Sequence, residues 1–314
     1  MGLLSRLKSA IRIIIKGNDQ PLIDSSTSKI KTSSEYWTSH NVTLHKIFTT
    51  KEESLAYMRW RFDQYLPYES LMSCVGYDNK VILDYGCGPG HDVIGFGEYS
   101  KPKKIIAMDV SSTSLEETRK RAQLHKISSI TEIKLIRESE KIPLEENSID
   151  YIHASGVLHH TPNLHEILME FYRILKSDGI IKIMVYNRDS IWVHLYVPYI
   201  LQIKQGIYKN LDLKEAFKRS TDGKHCPISN NYTPGEFIKI CDEAGFTSKY
   251  LGAAISLDEL DWVLERNKAM KDIRLSEKHR NFLKKITFNE NGFPLYNGNV
   301  AGIDAVFELK KNRI

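Results

Sequence analysis

The sequence has little that would tie it to a membrane, to nucleic acid or to an oxidising compartment. Its longest apolar stretch, residues 195–203, contains a proline and falls far short of the ~20 residues that span a bilayer. Lys and Arg number 44 against 39 Asp and Glu, an excess too small to indicate a nucleic-acid partner. The four cysteines are far apart, so no disulfide framework and no metal site is predicted, and a cytoplasmic location is expected.

Glycine and proline are also scarce, with 18 and 10 residues in a chain of 314. Hydrophobic residues make up 41% and charged residues 26%, which is typical of ordered globular proteins and excludes disordered or collagen-like chains. A chain of this length buries about three quarters of the surface that its unfolded form exposes. It therefore has enough residues to build a full core without disulfides.

The N-terminal part of the chain differs in character from the rest. Residues 1–17 carry only basic charges and predict an amphipathic helix with leucine and isoleucine on one face. Two positions for this helix stay open: docked on protein, or lying as a peripheral contact on an anionic membrane surface. Residues 18–34 are polar and predict a linker, and residues 35–75 predict an aromatic-rich helical cap.

From residue 76 onward, short β-branched runs alternate with helix-length segments. The predicted strands cover residues 81–85, 104–108, 132–136, 149–154, 179–186, a run from 247, and 301–309. This rhythm predicts an α/β fold: a Rossmann-like, doubly wound, mostly parallel seven-stranded sheet with helices on both faces. Less regular stretches at about 190–230 and 257–290 predict helical lid insertions. Ligands of such a sheet bind at the carboxyl ends of its strands.

The segment VILDYGCGPGHD, residues 81–92, carries the strongest functional signal. Gly86 and Gly88 directly follow a predicted strand, where missing side chains let the backbone approach a ligand. Asp84 precedes this turn, and Asp109 ends the next strand, from where a carboxylate can accept ribose hydroxyls. Helix capping is the alternative for Asp109. Because Asp84 would repel a pyrophosphate, the pattern favours an adenosyl ligand that carries an ammonium group.

These features resemble the class I S-adenosylmethionine-dependent methyltransferases. The resemblance covers residues 80–187 and returns at residues 232–246. It implies that S-adenosyl-L-methionine is the cofactor and that S-adenosyl-L-homocysteine is the product. Glu138 stands where the family usually has an aspartate. The cofactor-binding residues implied by the resemblance are Asp84, Gly86, Cys87, Gly88, Asp109, Val110, Glu138, Ser139, Ser155 and Gly156.

A histidine pair follows the fourth predicted strand, where the family places its reacting methyl group. A neutral imidazole suits a general base at pH 7, so His159 or His160 is the candidate base, and ordinary packing is the alternative for each. Arg59 and Arg61 precede the sheet, where related enzymes fold a helix over the methionine carboxylate. Plain loop or core roles are the alternatives for the predicted acceptor-binding residues, which are Tyr36, Tyr186, Asn187, Arg188 and His225.

The leading functional hypothesis is methyl transfer from S-adenosylmethionine to a small molecule, a sugar or glycan, or a lipid. The histidine pair favours O-methylation by in-line displacement with a histidine base. A nicotinamide-dependent oxidoreductase and a non-catalytic adenosyl-binding regulatory protein are the alternatives. A nucleic-acid acceptor is not expected, and the sequence predicts no oligomeric state.

Overall fold

The computed structural model describes residues 32–43, 45–137 and 141–312. The predicted basic helix 1–17 and most of the predicted linker lie outside the described residues. Helix α1 begins at Ser33, inside that linker, because Thr32 caps it through reciprocal hydrogen bonds with Glu35. None of the described helices is both long and apolar enough to cross a bilayer.

The described residues form one large sheet of eight strands and a small sheet of three. In chain order the strands are β1 Tyr65–Leu66, β2 Val81–Tyr85, β3 Lys104–Asp109, β4 Thr131–Leu135, β5 Ile149–Ser155, β6 Leu175–Tyr186, β7 Phe246–Ser256, β8 Thr287–Phe288, β9 Pro294–Tyr296, β10 Asn299–Val300 and β11 Asp304–Lys311. The large sheet has the order β1-β7-β11-β6-β5-β2-β3-β4. Strands β2 to β7 run parallel, and β1 and β11 run antiparallel to them.

The prediction of a doubly wound, mostly parallel sheet is confirmed. All seven predicted strands are present, and the structure adds β1, a two-residue edge strand too short to leave a pattern in the sequence. Strand β6 begins at Leu175, four residues before its predicted start, because the preceding helix ends at Ile174.

The helices lie between the strands, before the sheet and in the two predicted insertions. They are α1 Ser33–Ser39, α2 Lys51–Gln64, α3 Tyr68–Leu71, α4 His91–Tyr99, α5 Ser112–Leu124, α6 Leu164–Ile174, α7 Leu213–Thr221, α8 Pro234–Glu243, α9 Leu257–Trp262, α10 Arg266–Lys271 and α11 Glu277–Lys285. Short 3-10 helices cover Ser128–Ile130, Leu158–His160 and Val263–Glu265, and a π-helix covers Trp192–Lys204.

The two faces of the sheet carry separate apolar cores because side chains alternate along each strand. Strand β2 places Leu83 in one core, with Phe171 of α6 and Phe237 of α8. It places Ile82 in the other core, with Ile94 of α4. Each such buried side chain contributes about 1.5–3 kcal/mol to folding. Both faces are therefore covered by helices, as the continuous apolar strands predict.

The two insertions pack on each other. The π-helix in the first insertion contains Pro198, which cannot donate a helical hydrogen bond. The ring of Tyr196 in this helix stacks on Trp262 of α9 at a centroid distance of 3.5 Å. Leu195 shares an apolar cluster with Phe282 and Leu283 of α11. The insertions thus form a layer with its own apolar core.

One buried arginine joins the helical cap to the loop after β2. Arg121 of α5 is 1% exposed and donates to the Pro89 carbonyl at 2.9 Å and to the Ser54 hydroxyl and carbonyl at 2.8 and 3.0 Å. Burial lowers the pKa of Arg121 to about 10, so the guanidinium stays charged at neutral pH. Its bonds set the distance between α2 and the glycine-rich loop.

We expect Arg121→Met to lower the free energy of unfolding by about 3 kcal/mol, because it leaves buried carbonyl groups without a donor. Urea unfolding followed by circular dichroism would measure the change. Arg119→Met is the matched control, since Arg119 is exposed on the same helix. Equal midpoints for the two variants would contradict the assigned role.

Candidate active site

The glycine-rich loop leaves β2 through a turn that admits no side chain. The N–H groups of Gly86 and Cys87 both donate to the Met108 carbonyl, at 2.7 and 2.9 Å, which ties the end of β2 to the end of β3. Gly86 has a φ of +72°, and a Cβ atom there would lie 2.2 Å from a methyl group of Val157. Only glycine lets these two loops meet so closely.

Asp109 organises the open side of the same loop. Its two carboxylate oxygens accept hydrogen bonds from the N–H groups of Gly88 and Ser111, each at 2.8 Å. Burial raises the pKa of Asp109. A Cβ atom on Gly88 would meet no atom within 4 Å, so the loop borders open space beside this carboxylate.

Asp84 is a buried carboxyl group with an unused acceptor. It is 1% exposed, and its Oδ2 atom has no hydrogen-bond partner in the part of the chain that the structure describes. Burial raises the pKa of Asp84 to about 7, although the neighbouring His153 opposes this shift. A buried acceptor without a donor is costly, which points to a ligand that supplies one.

Beside Asp84, a second buried acid has one oxygen in ion pairs, while its Oδ1 has no hydrogen-bond partner among the described residues. Asp92 Oδ2 lies 3.3 Å from His153 Nε2 and 3.3 Å from Arg61 Nη1. Burial disfavours the charge of Asp92, but Arg61 and His153 outweigh it and hold its pKa below the usual range. The two acids therefore have opposite shifts in pKa, because only Asp92 has a nearby guanidinium as an ion-pair partner.

Of the two arginines noted in the cap, only Arg61 faces this region. Its Nη2 donates to the Ser155 hydroxyl at 3.1 Å, and the Tyr68 hydroxyl also bonds to Ser155. The Arg61 side chain keeps 25% of its surface exposed, so it can still reach an anion. Arg59 instead donates to the Tyr99 hydroxyl on the outer surface.

Helix α1 covers the loop that follows β3. The Ser34 hydroxyl donates to the Val110 carbonyl at 2.8 Å, and the Ser111 hydroxyl donates to the Trp37 carbonyl at 3.0 Å. The Tyr36 hydroxyl of the same helix donates to the backbone carbonyl of Asp222 in the first insertion. The helix thus bridges the region of Asp109 and the insertion.

The two histidines have different surroundings. His159 is fully buried, and both ring nitrogens lack a hydrogen-bond partner among the described residues. Its ring lies 3.8 Å from that of Tyr186 and 4.1 Å from that of His160, measured between centroids. Burial, with a smaller contribution from His160, lowers the pKa of His159 well below the usual range. His159 is therefore a neutral imidazole at pH 7.

His160 is held from both sides. Its Nδ1 donates to the Ile228 carbonyl at 2.7 Å, and its Nε2 lies 3.5 Å from Asp222 Oδ1. The Asp222 carboxylate also accepts from the hydroxyl groups of Tyr186 at 2.9 Å and Ser229 at 2.6 Å. Asp222 therefore connects the histidine pair to the insertion.

The structure places the remaining predicted site residues as follows: some bond within the protein, one is exposed, and two are not described. Asn187 is buried and donates to the carbonyls of Asp189 and Gly302, and Arg188 donates to Asn231 and Glu236. His225 is exposed. Glu138 and Ser139 lie outside the described residues. Of the other predicted residues, Gly156 lies next to Ser155 with a φ of +75°, and Cys87 is buried in the loop.

Sequence reasoning gave no specific role to two buried acids near this edge of the sheet. Asp222 belongs to a charged cluster in the first insertion, which suits a polar or anionic acceptor or ordinary solvated charge, and nothing in the sequence distinguishes it from its neighbours. Asp304 begins β11 and is 4% exposed, and burial raises its pKa to about 7 against the effect of Arg61. The only signal for Asp304 in the sequence is that an acidic residue stands at the start of an apolar strand.

The residues present fit a ligand with three polar groups. Asp84 offers a free acceptor for an ammonium group, Asp109 offers a carboxylate for hydroxyl groups, and Arg61 offers a guanidinium for a carboxylate. Asp84 and Asp109 lie at the carboxyl ends of β2 and β3, and Arg61 contacts Ser155 at the carboxyl end of β5. This is the donor and acceptor set of an amino acid joined to a ribose.

Comparisons with known proteins agree with the fold. The sequence profile of a family described as "Methyltransferase domain" matches residues 77–245, more than half of the chain. Among solved structures, a chain in the complex between the Haloferax volcanii Trm112 methyltransferase activator and a methyltransferase has a TM-score of 0.52. It is 13% identical, and the alignment covers 84% of this chain and 96% of that one, so it supports the fold alone.

Two curated relatives cover shorter parts of the chain. An uncharacterised 37.1 kDa protein in transposon TN4556 of Streptomyces fradiae is 26% identical over 52% of this chain and 42% of its own length. The malonyl-(acyl-carrier protein) O-methyltransferase of Yersinia pestis is 30% identical over 32% of this chain and 34% of its own length. The chain thus spans less than half of these relatives. With the profile match over residues 77–245, the resemblance found in the sequence is confirmed, and this chain belongs to the methyltransferase domain family.

Proposed function

We propose that this chain is an enzyme that transfers a methyl group from S-adenosylmethionine to a small acceptor molecule. The observation that carries the proposal is the buried, unpartnered oxygen of Asp84, at the end of the strand that leads into the glycine-rich loop. A ligand with an ammonium group removes the cost of that oxygen, and a dinucleotide does not, because its phosphates would approach a carboxyl group. The family membership supports the same reading.

Each part of the cofactor has a proposed partner. Asp84 accepts from the ammonium group, Arg61 binds the carboxylate, and Asp109 accepts from the ribose hydroxyls. When bound, S-adenosylmethionine supplies an electrophilic methyl group on a sulfonium. The proposed contacts around the loop and the adenine are completed by Gly86, Cys87, Gly88, Val110, Glu138, Ser139, Ser155 and Gly156.

We propose that His159 is the general base of an O-methylation. Its ring is neutral, and its nitrogens have no competing partner among the described residues, whereas His160 is held by Ile228 and Asp222. The acceptor hydroxyl gives its proton to the imidazole as its oxygen bonds to the methyl carbon and the carbon–sulfur bond breaks. The similarity to an O-methyltransferase supports this choice of atom.

The acceptor is proposed to be a small molecule, a sugar or glycan, or a lipid. It would lie against Tyr36 and Tyr186, which meet at Asp222 near the histidine pair. Asn187, Arg188 and His225 stay predictions from the sequence. The fold leaves the Arg188 side chain 35% exposed and His225 exposed, whereas the Asn187 amide is used within the protein.

Titration calorimetry with S-adenosylhomocysteine tests the cofactor assignment. We expect micromolar binding by the wild type and an affinity about 10- to 100-fold weaker for Asp109→Ala, which removes charged hydrogen bonds to the ribose. Asp178→Ala is the control, because Asp178 is exposed and lies near the start of β6, at the end of the strand opposite to the site. Binding of NAD without binding of S-adenosylhomocysteine would instead support the oxidoreductase alternative.

The affinity for S-adenosylhomocysteine should rise with pH and level off above pH ~7. Burial raises the pKa of Asp84 to about 7, so this carboxyl group is protonated at pH 6, and a cationic ligand favours the ionised form. Binding at pH 6 should therefore release a proton, which calorimetry in buffers of different ionisation enthalpy detects. Asp84→Asn should bind more weakly with no such pH dependence, and an unchanged slope in this variant would refute the assignment.

His159→Ala should lower methyl transfer at least a hundredfold while leaving the affinity for S-adenosylhomocysteine within about twofold. The assay uses S-adenosylmethionine labelled in its methyl group with a panel of hydroxylated acceptors, beginning with sugars and lipids. Full turnover by His159→Ala would exclude it as the base. Cofactor binding without methyl transfer by the wild type to any acceptor would support the regulatory alternative.

A further inference from the structure

We propose that His160, Asp222 and Cys226 form a zinc-binding site that joins the histidine pair to the first insertion. One ligand atom from each of the three side chains lies within 4.8 Å of the other two. His160 and Cys226 are buried, and the side chain of Asp222 is 5% exposed. The sequence gives no such indication, because His160 is more than 60 residues from the other two ligands.

The hydrogen bonds of His160 fix which nitrogen is available. A carbonyl oxygen only accepts, so Nδ1, at 2.7 Å from the Ile228 carbonyl, carries the ring hydrogen. In the neutral ring, Nε2 then presents a lone pair. Metal-binding histidines have this arrangement, in which the other ring N–H donates to a backbone carbonyl.

The distance from Nε2 to Asp222 is the main argument for a metal ion. A charged hydrogen bond between an imidazolium and a carboxylate closes to about 2.7–2.9 Å, but Nε2 and Oδ1 are 3.5 Å apart. Two acceptors facing each other at this distance repel. Two ligands of one tetrahedral zinc ion, with bonds of about 2.0–2.1 Å, lie ~3.3 Å apart. The separation therefore fits a shared ion.

Cys226 supplies the third ligand and selects the metal. Its Sγ atom lies 3.9 Å from His160 Nδ1 and 3.3 Å from the Ile228 carbonyl, to which the thiol donates. The thiol loses its proton to solvent as the metal–sulfur bond forms. A thiolate beside an imidazole favours zinc over magnesium or calcium.

The surroundings of Asp222 match those of a metal-binding carboxylate. Hydroxyl groups of Tyr186, Thr221 and Ser229 donate to its oxygens at 2.9, 2.7 and 2.6 Å, which fixes their direction. One carboxylate and one thiolate neutralise a divalent zinc ion, so the buried site carries no net charge. A bound ion would hold the insertion against the loop that contains the histidine pair.

Cobalt substitution tests the site without an acceptor and without the cofactor. The tag-free full chain is stripped of metal with a chelator, titrated with Co²⁺ and then challenged with Zn²⁺. We expect one Co²⁺ per chain, a thiolate-to-cobalt charge-transfer band and the ligand-field bands of a tetrahedral site, all removed by zinc. No such bands in the wild type would overturn the proposal.

Two variants identify the ligands. Cys226→Ser should lose the charge-transfer band, and Asp222→Asn should keep it with at least tenfold weaker cobalt affinity. Cys241→Ser is the matched control, since Cys241 is also a buried free thiol but lies in the sheet core. A band that persists in Cys226→Ser overturns the proposal. If Cys226→Ser does not fold, His160→Gln decides, because undiminished cobalt affinity in that variant excludes the site.

Discussion

The junction between β2 and β3 is the constraint on which the rest of the site depends. Two successive N–H groups, of Gly86 and Cys87, converge on one carbonyl, that of Met108. This forces the chain into a left-handed turn at Gly86 and presses it against Val157. As a result Asp84, before the turn, and Asp109, after the neighbouring strand, lie at one edge of the sheet. Backbone geometry thus places both acids, Asp84 for the proposed ammonium contact and Asp109 for the proposed ribose contact.

Asp222 has the corresponding role on the acceptor side. Its backbone carbonyl accepts from Tyr36 of α1, and its carboxylate accepts from Tyr186 at the end of β6. The same carboxylate faces His160. Cap, sheet, histidine pair and insertion therefore meet at one residue. Because a buried carboxylate is stable only when it is fully hydrogen-bonded, displacement of any of these elements destabilises the others.

The sequence predicted what depends on local periodicity and turn chemistry. All seven main strands, the glycine turn and the two acids around it were predictable, because parallel strands are continuous apolar runs and such a turn requires glycine at Gly86. The two-residue strand β1 and the contacts of Asp222 were not predictable, because they depend on tertiary packing. Asn187 illustrates the limit: its position at a strand end predicts a ligand contact, and the hydrogen bonds of its amide to two backbone carbonyls depend on packing that the sequence does not show.

The histidine pair shows how burial divides roles between identical side chains. The two rings are 4.1 Å apart, and two charges at that distance repel by about 4 kcal/mol at an effective dielectric constant near 20. A metal ion is favoured beside His160, which faces a carboxylate, and not beside the fully buried His159. His159 therefore stays neutral and is a weak base. A weak base is sufficient in the proposed reaction, because the acceptor oxygen becomes strongly acidic as it bonds to the methyl carbon. The low basicity of His159 also lets the proton leave again before the next cycle.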